Sequence, residues 1–334
     1  MDETSMRGLL HSALGDEPPI GPVAHNSLRA GIRLRRRARI RRAAGGAAVI
    51  VAAAVAIPAV TGRLGTTAAA PRTGSAREAT AYVVNGQSGG VTPIDLATNR
   101  RGKPINAGEA PYAIAITPDG KTAYVADTGA ETVTPIDLAT STPGKPINVG
   151  GAPDTIAITP DGKTAYVIDT GAETVTPIDV ATSTPGKPIK VGKRPWTIAI
   201  TPDGKTAYVA GFVSDMVTPI DLATSTPGKP IKVGGAPFAI AITPDGKTAY
   251  VETSGTVIPI DLATSRPGNP ISVGGAPNAI AITPDGKTAY VASQLAGTVT
   301  PIATATNMPG NPIKVWPSSA YGFGGSPEAI AIMP

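Results

Sequence analysis

One tyrosine recurs along most of this chain at a nearly constant interval, and this period constrains the fold more than any other feature. Successive copies are separated by 42, 42, 42, 42 and 40 residues. They are Tyr82, Tyr124, Tyr166, Tyr208, Tyr250 and Tyr290. A repeat of about 40–45 residues made of short strands has the size of one four-stranded propeller blade. The period therefore predicts an all-β protein, a β-propeller of six four-stranded blades.

The order of the strands is visible within a single repeat. Strand a is the alternating run 113–116 and strand b is 122–126, with a tight turn at 118–120 between them. Proline fixes φ at the start of such a turn, and glycine accepts a positive φ. Strands c and d are predicted at 133–138 and 145–149. The 39 Gly and 35 Pro of the chain fit many short elements of this kind.

Individual positions predict further features of these strands. Pro135 lies inside strand c, where a missing N–H favours a bulge. Ala113 and Ala115 are small alternate residues of strand a, and we expect them to face the central channel. Ile114 and Ile116 are then expected to pack between blades. An aspartate that recurs in strand c is predicted to cap the following turn, at Asp95, Asp137, Asp179, Asp221 and Asp261.

The number of blades depends on how the ring closes. Strands b, c and d occur in six copies from residue 80 onward, and the sixth copy of strand a is 328–334. This strand is predicted to complete the blade that begins at residue 80, which would remove the free sheet edge. A truncated seven-bladed ring is the alternative.

The first 78 residues differ from the repeats in charge and hydropathy. Residues 1–42 carry nine Arg against four acids and are predicted to be cytoplasmic. Residues 43–62 are uncharged and have about the length that a helix needs to span a bilayer. Because the Arg residues flank this segment on its N-terminal side, we predict an uncleaved signal anchor in the cell membrane, a linker at 63–78 and an extracytoplasmic propeller at 79–334. A leader cleaved after 68–70 and a buried Ala-rich helix are the alternatives.

Charge also argues against one class of partner. Residues 79–334 carry 17 basic and 19 acidic side chains, so this part of the chain is nearly neutral. A nucleic-acid-binding surface needs clustered positive charge that displaces counterions. We therefore predict no nucleic-acid partner.

The repeat resembles a known family. Its pattern is Gly-Ala-Pro-x-x-Ile-Ala-Ile-Thr-Pro-Asp-Gly-Lys-Thr-Ala-Tyr-Val, followed by Val-Thr-Pro-Ile-Asp-Leu-Ala-Thr. This resembles the YVTN-repeat β-propellers, which are related to surface-layer and bacterial lactonase-like propellers. Residues 82–85 match the name motif best, and the motif drifts at 124–127 and 208–211. The resemblance covers residues 80–334 and implies the propeller fold.

The copies differ from one another mainly in the b–c and d–a loops. Strands alternate in direction, so both sets of loops are expected on one face of the disc. Seven of the 13 aromatic residues, those outside the repeated tyrosine, lie in these connections. They are expected either to bind a ligand or partner, such as an envelope protein or a glycan, or to plug the channel. The candidate binding residues are Tyr112, Asp154, Lys193, Arg194, Trp196, Phe212, Phe238, Asn278, Trp316 and Glu328.

The residue types available for catalysis are few. The two histidines, His11 and His25, precede the uncharged segment, and the chain has no Cys. His-containing triads, thiol nucleophiles and most zinc sites are therefore excluded from the repeats, and we assign no catalytic residue and no metal ligand. The resemblance leaves a calcium-dependent lactonase-like hydrolase as an alternative, with oxygen ligands from Asp154, Asn278 and Glu328. A structural spacer like a surface-layer protein is the other alternative to a binding module.

Overall fold

The computed structural model describes residues 80–86, 89–96 and 98–315. These residues form 29 short strands joined by turns, and they contain no helix. The strands assemble into six consecutive antiparallel sheets, which we call blades 1 to 6. An all-β fold is confirmed, and six sheets of this kind are consistent with a six-bladed propeller.

The first three blades contain the following strands. Blade 1 contains β1 (Thr80–Asn85), β2 (Gly90–Asp95), β3 (Arg100–Arg101) and β4 (Ile105–Asn106). Blade 2 contains β5 (Pro111–Ile116), β6 (Thr122–Asp127), β7 (Thr132–Asp137), β8 (Thr142–Pro143) and β9 (Ile147–Asn148). Blade 3 contains β10 (Pro153–Ile158), β11 (Thr164–Asp169), β12 (Thr174–Asp179), β13 (Thr184–Pro185) and β14 (Ile189–Lys190).

The last three blades repeat this order. Blade 4 contains β15 (Pro195–Ile200), β16 (Thr206–Gly211), β17 (Met216–Asp221), β18 (Thr226–Pro227) and β19 (Ile231–Lys232). Blade 5 contains β20 (Ala239–Ile242), β21 (Thr248–Thr253), β22 (Thr256–Asp261), β23 (Arg266–Pro267) and β24 (Ile271–Ser272). Blade 6 contains β25 (Pro277–Ile282), β26 (Thr288–Ser293), β27 (Thr298–Ala303), β28 (Met308–Pro309) and β29 (Ile313–Lys314).

Pro135 does not cause a bulge in strand c, contrary to the sequence prediction. The register of β6 with β7 is continuous through the pair Tyr124 and Pro135. The irregularity falls in strand d instead, which is split into β8 and β9, both paired with β7. Proline has no N–H that could donate a hydrogen bond to strand d. Gly144, between β8 and β9, lies against the Pro135 ring, and its N–H donates to the Pro135 carbonyl over 2.7 Å. The same bond recurs in the other five blades.

The alanines of strand a do not face the channel as predicted. Ala113 and Ala115 are buried in a cluster with Ile156 and Val167 of blade 3. Ile114, on the opposite face of β5, packs against blade 1 as predicted. Both faces of a strand in a stacked sheet meet neighbouring sheets, so the small side chains set the spacing between blades.

The repeated tyrosines lie between blades. Tyr124 is fully buried, and its hydroxyl donates to the carbonyl of Val180 in blade 3 over 3.2 Å. The Tyr250 hydroxyl donates in the same way to Asn307 Oδ1 in blade 6 over 2.6 Å. The residue that defines the period therefore joins each of these blades to the next one.

Both repeated turns have the predicted chemistry. In the a–b turn, Gly120 has φ of 66° and donates its N–H to the Thr117 carbonyl over 2.8 Å. Asp119 Oδ1 accepts the Thr117 hydroxyl over 2.7 Å. In the c–d turn, Asp137 Oδ1 accepts the N–H of Thr140 over 2.8 Å, and equivalent bonds occur at Asp95, Asp179, Asp221 and Asp261. The turn-capping role of these aspartates is confirmed.

Several sequence predictions lie outside the described residues. These are the signal anchor at 43–62, the linker at 63–78 and the closing strand at 328–334. Within residues 80–315 as described, no helix is long and apolar enough to cross a membrane.

Candidate functional site

A buried aspartate joins the two kinds of variable loop. Asp127, the last residue of β6, is fully buried. Its carboxylate accepts the N–H groups of Glu109 and Ala110 in the d–a loop, over 2.5 and 2.9 Å. It also accepts those of Gly129 and Ala130 in the b–c loop, over 2.8 and 3.1 Å. The b–c and d–a loops of this blade therefore lie together, as the alternation of strands predicts.

Three predicted binding residues form an aromatic cluster on this loop face. The rings of Trp196 and Phe212 are 6.4 Å apart between centroids, with an interplanar angle of 47°. Phe212 and Phe238 meet edge to face, with centroids 4.7 Å apart and an angle of 67°. Trp196 and Phe212 belong to blade 4, whereas Phe238 precedes the first strand of blade 5. The contact between Phe212 and Phe238 therefore joins blade 4 to blade 5. Trp196 and Phe238 occupy equivalent positions in successive repeats, 42 residues apart.

Trp196 is fixed by blade 3. The register of β15 with β16 shifts between Pro195 and Thr197, so Trp196 sits at an irregular position of the strand. Its carbonyl accepts the hydroxyl of Thr155 over 3.0 Å, and the Pro195 carbonyl accepts that of Thr170 over 2.6 Å. The backbone of this residue is thus held, while its side chain remains 36% exposed.

The two phenylalanines are also held through their backbones. The N–H of Phe212 donates to the Arg194 carbonyl over 3.0 Å, and the N–H of Phe238 donates to the Glu252 carbonyl over 2.9 Å. Both rings are half-buried. The two phenylalanine rings are thus partly covered within the cluster, whereas Trp196 is more accessible.

A polar group lies next to the aromatic cluster along the loop face. Asp154 Oδ2 accepts the N–H of Thr170 over 3.3 Å. Burial raises the pKa of Asp154 above its ordinary value, and the nearby Asp169 carboxylate raises it further. The hydrogen bonds from Thr170 and the positive charge of Arg194 lower the pKa of Asp154 and so offset part of this increase. Burial and the nearby Asp154 raise the pKa of Tyr112. Asp154 therefore interacts electrostatically with Tyr112 of the preceding blade and with Arg194 of the following one.

The basic pair lies in the loop that leads into blade 4. Lys193 and Arg194 are both exposed, and Arg194 has φ of 48°. Its carbonyl is the acceptor for Phe212, so the pair is attached to the aromatic cluster through the backbone. The loop therefore places two cations beside Trp196, as the sequence predicts.

The remaining predicted site residues are Asn278, Trp316 and Glu328. Asn278 takes the equivalent position in β25 and is half-buried, but it lies in blade 6. Trp316 and Glu328 lie outside the described residues. Asp154 and Asn278 lie in blades 3 and 6, and with Glu328 outside the described residues this set of calcium ligands stays a prediction. In that described part of the chain, no three His, Cys, Asp or Glu residues are grouped so that they could hold a metal ion.

The aromatic cluster is a surface feature. An open cavity of about 460 Å³ lies at blade 1 and is lined by residues that include Gly89, Asn106 and Glu109. None of the three clustered aromatic residues contributes to its lining.

Comparisons with known proteins support the fold. No family model and no curated protein matches the chain. Kuenenia stuttgartiensis hydrazine synthase is 26% identical, with a TM-score of 0.61 over 67% of this chain and 73% of that one. A functionally unknown protein from Desulfotomaculum acetoxidans is 17% identical, with a TM-score of 0.61 over 70% and 81%. The dihydro-heme d1 dehydrogenase NirN, in complex with DHE, is 17% identical, with a TM-score of 0.63 over 74% and 56%. Hydrazine synthase and NirN are β-propeller proteins, and this chain is similar to them in fold.

Proposed function

We propose that this protein is a membrane-anchored, extracytoplasmic binding module and that its b–c and d–a loop face holds the ligand. The observation that carries the proposal is the contact among Trp196, Phe212 and Phe238, in which the tryptophan stays 36% exposed. Large aromatic side chains that are rigidly held but left accessible are typical anchors of binding surfaces. The YVTN-type assignment, which rests on the sequence motifs, agrees with such a module but does not identify its ligand.

A glycan of the cell envelope is the ligand class that the neighbouring groups favour. A sugar ring offers an apolar face that stacks on an aromatic side chain, and its edge carries hydroxyl groups. Trp196 supplies such a face, and Asp154 and Arg194 supply an acceptor and a donor nearby. Orientation by a few polar groups around an aromatic contact is the general pattern of small-ligand recognition.

The test compares two substitutions on the same loop face. Trp196→Ala is expected to weaken retention on purified cell-wall glycan by about 10–100-fold, because one aromatic anchor often dominates a binding surface. Leu295→Ala, which removes a side chain that is 75% exposed in the b–c loop of blade 6, is the matched control and should bind as the wild type does. Both variants are expected to keep the wild-type melting temperature, which is measured on the full chain in detergent.

Retention of Trp196→Ala at the wild-type level would contradict the proposal. Loss of retention in both variants would mean that the whole face, and not the cluster, holds the glycan. If the wild type binds envelope proteins but no glycan, the ligand class is wrong although the surface is correct.

The anchoring part of the proposal is supported by the sequence alone. Residues 43–62 are uncharged and follow an Arg-rich stretch, which favours a cytoplasmic N-terminus and an outer propeller. Protease added to intact cells should therefore degrade the repeats. Protection of the repeats in intact cells, with degradation after lysis, would reverse this topology.

We also propose that the six blades form a closed ring and that residues 328–333 supply strand a of blade 1. Blade 1 has no innermost strand within the described residues. Ile313 and Val315 of blade 6 are 50% and 48% exposed, whereas their equivalents Ile271 and Val273 in blade 5 are 5% and 3% exposed. A strand like β25 would cover the corresponding face of blade 6, and residues 328–333 repeat its sequence pattern.

A further inference from the structure

Glu252 is a buried carboxyl group without a partner. It is the fifth residue of β21 and is completely inaccessible to solvent. Neither of its carboxylate oxygens has a hydrogen-bond partner among the described residues. Burying an ionised carboxylate without a partner is strongly unfavourable, so the neutral form of Glu252 is favoured at this site.

The other blades show that the fold does not require a polar residue at this position. The fifth residue of strand b is apolar and buried in every other blade. These residues are Val84, Ala126, Ile168, Ala210 and Ala292. The carboxyl group of Glu252 is therefore specific to blade 5, in a chain whose repeats are otherwise nearly identical at the core positions of this strand.

Glu252 lies at the packed interface between blades 5 and 6, and we call each such interface between neighbouring blades a seam. Tyr250, two residues earlier on the same face of β21, is packed in a cluster with Ala289 and Val291 of blade 6. Ser293 alternates with Val291 and therefore faces the same seam from the other side. Ser293 is also fully buried, and its hydroxyl has no partner among the described residues. Blades 2 and 3 have Asp127 and Asp169 at the position of Ser293.

From the described elements around it, no opposite charge faces Glu252. The neighbouring strands β20, β24 and β25 contain no titratable residue, and neither do the loops 254–255, 273–276 and 294–297. In β22 the only such group is Asp261, which is exposed and pairs with Thr248. Tyr290 in β26 pairs with Pro301 in β27, and the hydroxyl of Tyr250 is bonded to Asn307. Ionisation of Glu252 would thus remain uncompensated.

We propose that Glu252 is a proton-dependent lock between blades 5 and 6: protonated, it stays in the packed seam, and ionised, it opens the seam. A neutral carboxyl group is tolerated there because its burial costs only its hydrogen bonds to water. A carboxylate draws in water or leaves the interface, and either movement separates the two sheets. Ser293, at the position where blades 2 and 3 have aspartate, adds no second carboxylate at the same seam.

The direction of the pH dependence follows from the burial of this group. Burial raises the pKa of Glu252 from 4.5 to about 8. When the chain is unfolded the carboxyl group releases its proton near pH 4.5, whereas in the folded protein it holds the proton up to about pH 8. The stability that this group gives is therefore complete below pH 4.5, declines as the pH rises toward 8, and is lost above that value.

The lock is connected to the aromatic cluster by one hydrogen bond. The carbonyl of Glu252 accepts the N–H of Phe238, whose ring contacts Phe212. Opening of the seam would displace this edge of the cluster. An effect on ligand retention rests on the proposed binding function, but the lock itself does not.

Hydrogen exchange on the full chain in detergent tests the lock directly. We compare exchange at pH 5 and pH 8 after correction for intrinsic exchange rates. In the wild type, the segments 248–257 and 288–299 are expected to lose protection between these two pH values by a factor on the order of 10², whereas in Glu252→Gln they should not. Strands 164–175 and 206–217 form the matched seam between blades 3 and 4, where Ile168 takes the place of Glu252, and they should show no such loss. Glu252→Ala, which introduces the residue found at 126, 210 and 292, should also abolish the pH dependence.

Two results would overturn the proposal. One is an equal loss of protection in the wild type and in both variants. The other is an equal loss at the two seams of the wild type, which would indicate general alkaline unfolding. Glu131→Gln, in an exposed loop, controls for the removal of a negative charge and should behave as the wild type does. If Glu252→Gln fails to fold, Glu252→Ala alone decides, because alanine fits this position in three other blades. None of these readings depends on glycan binding.

Discussion

The aspartates that end strand b differ in how well their carboxylates are satisfied. Asp127 accepts four backbone N–H groups from two loops. Asp169 has the same position in blade 3, but its Oδ1 accepts only the N–H groups of Gly171 and Ala172, and its buried Oδ2 has no partner among the described residues. The same residue type therefore gives different support to the loops above it.

This difference predicts the effect of removing each aspartate. Asp127→Ala is expected to cost about 3 kcal/mol in the free energy of unfolding, because four backbone N–H groups lose a charged acceptor in part-buried hydrogen bonds. Asp169→Ala should cost roughly half as much, since fewer donors are stranded and an unsatisfied oxygen is removed. Denaturant unfolding of both variants measures the two values. Equal costs would show that the loop bonds to Asp127 contribute little.

Comparison of the repeats within the chain located most of the candidate site but not all of it. Trp196, Phe212 and Phe238 were identifiable because they interrupt loops that are otherwise small and polar. Glu252 carried the same kind of signal, a charged residue at an apolar position of strand b, although the comparison of loops alone did not reveal it. The hydrogen bond from Thr155 to Trp196 was not predictable, because it depends on the separation of two blades.

At the scale of the strand, the sequence predicted the positions of the strands well, but it predicted the direction of their side chains less well. Strands a, b and c occur within one or two residues of their predicted bounds in blade 2. Strand d was predicted as one element, but it is divided because Pro135 in the neighbouring strand cannot donate a hydrogen bond to it. Ala113 was assigned to the channel because small size suits a crowded axis, yet small size also suits two closely stacked sheets.

The a–b turn provides a prediction about a single element. Gly120 has φ of 66°, and a side chain at this position would meet no atom within 4 Å. Gly120→Ala should therefore destabilise the protein by about 1 kcal/mol through backbone strain alone. Gly120→Asn should recover part of this loss, because asparagine tolerates the left-handed region better. Thermal unfolding of both variants is the measurement, and an unchanged midpoint for the alanine variant would contradict the strain argument.

On the scale of the whole described region, residues 80–315, the protein consists of near-identical sheets whose contacts are mainly between neighbours. Five buried clusters join blades 1 to 6 in succession. The number of blades was predictable because each unit carries the same tyrosine. The polarity of each seam was not predictable in this way, because it depends on which residues two different repeats place in it, such as Glu252 and Ser293. A chain of this kind can therefore hold one pH-sensitive seam among apolar ones.

Closure of the ring can be tested with an engineered disulfide, because the chain contains no Cys. In blade 6, Ile280 of strand a is paired with Val291 of strand b. The equivalent residues for blade 1 are Ile330 and Val83, so Val83→Cys combined with Ile330→Cys should form a disulfide under mild oxidation. Because the bond would join distant parts of the chain, it should raise the free energy of unfolding by about 3 kcal/mol. Val83→Cys with Ile280→Cys is the control and should stay reduced. A disulfide formed only between two molecules would show that this strand completes blade 1 of another copy. The absence of any disulfide in the test pair would contradict the proposal that residues 328–333 supply the innermost strand of blade 1.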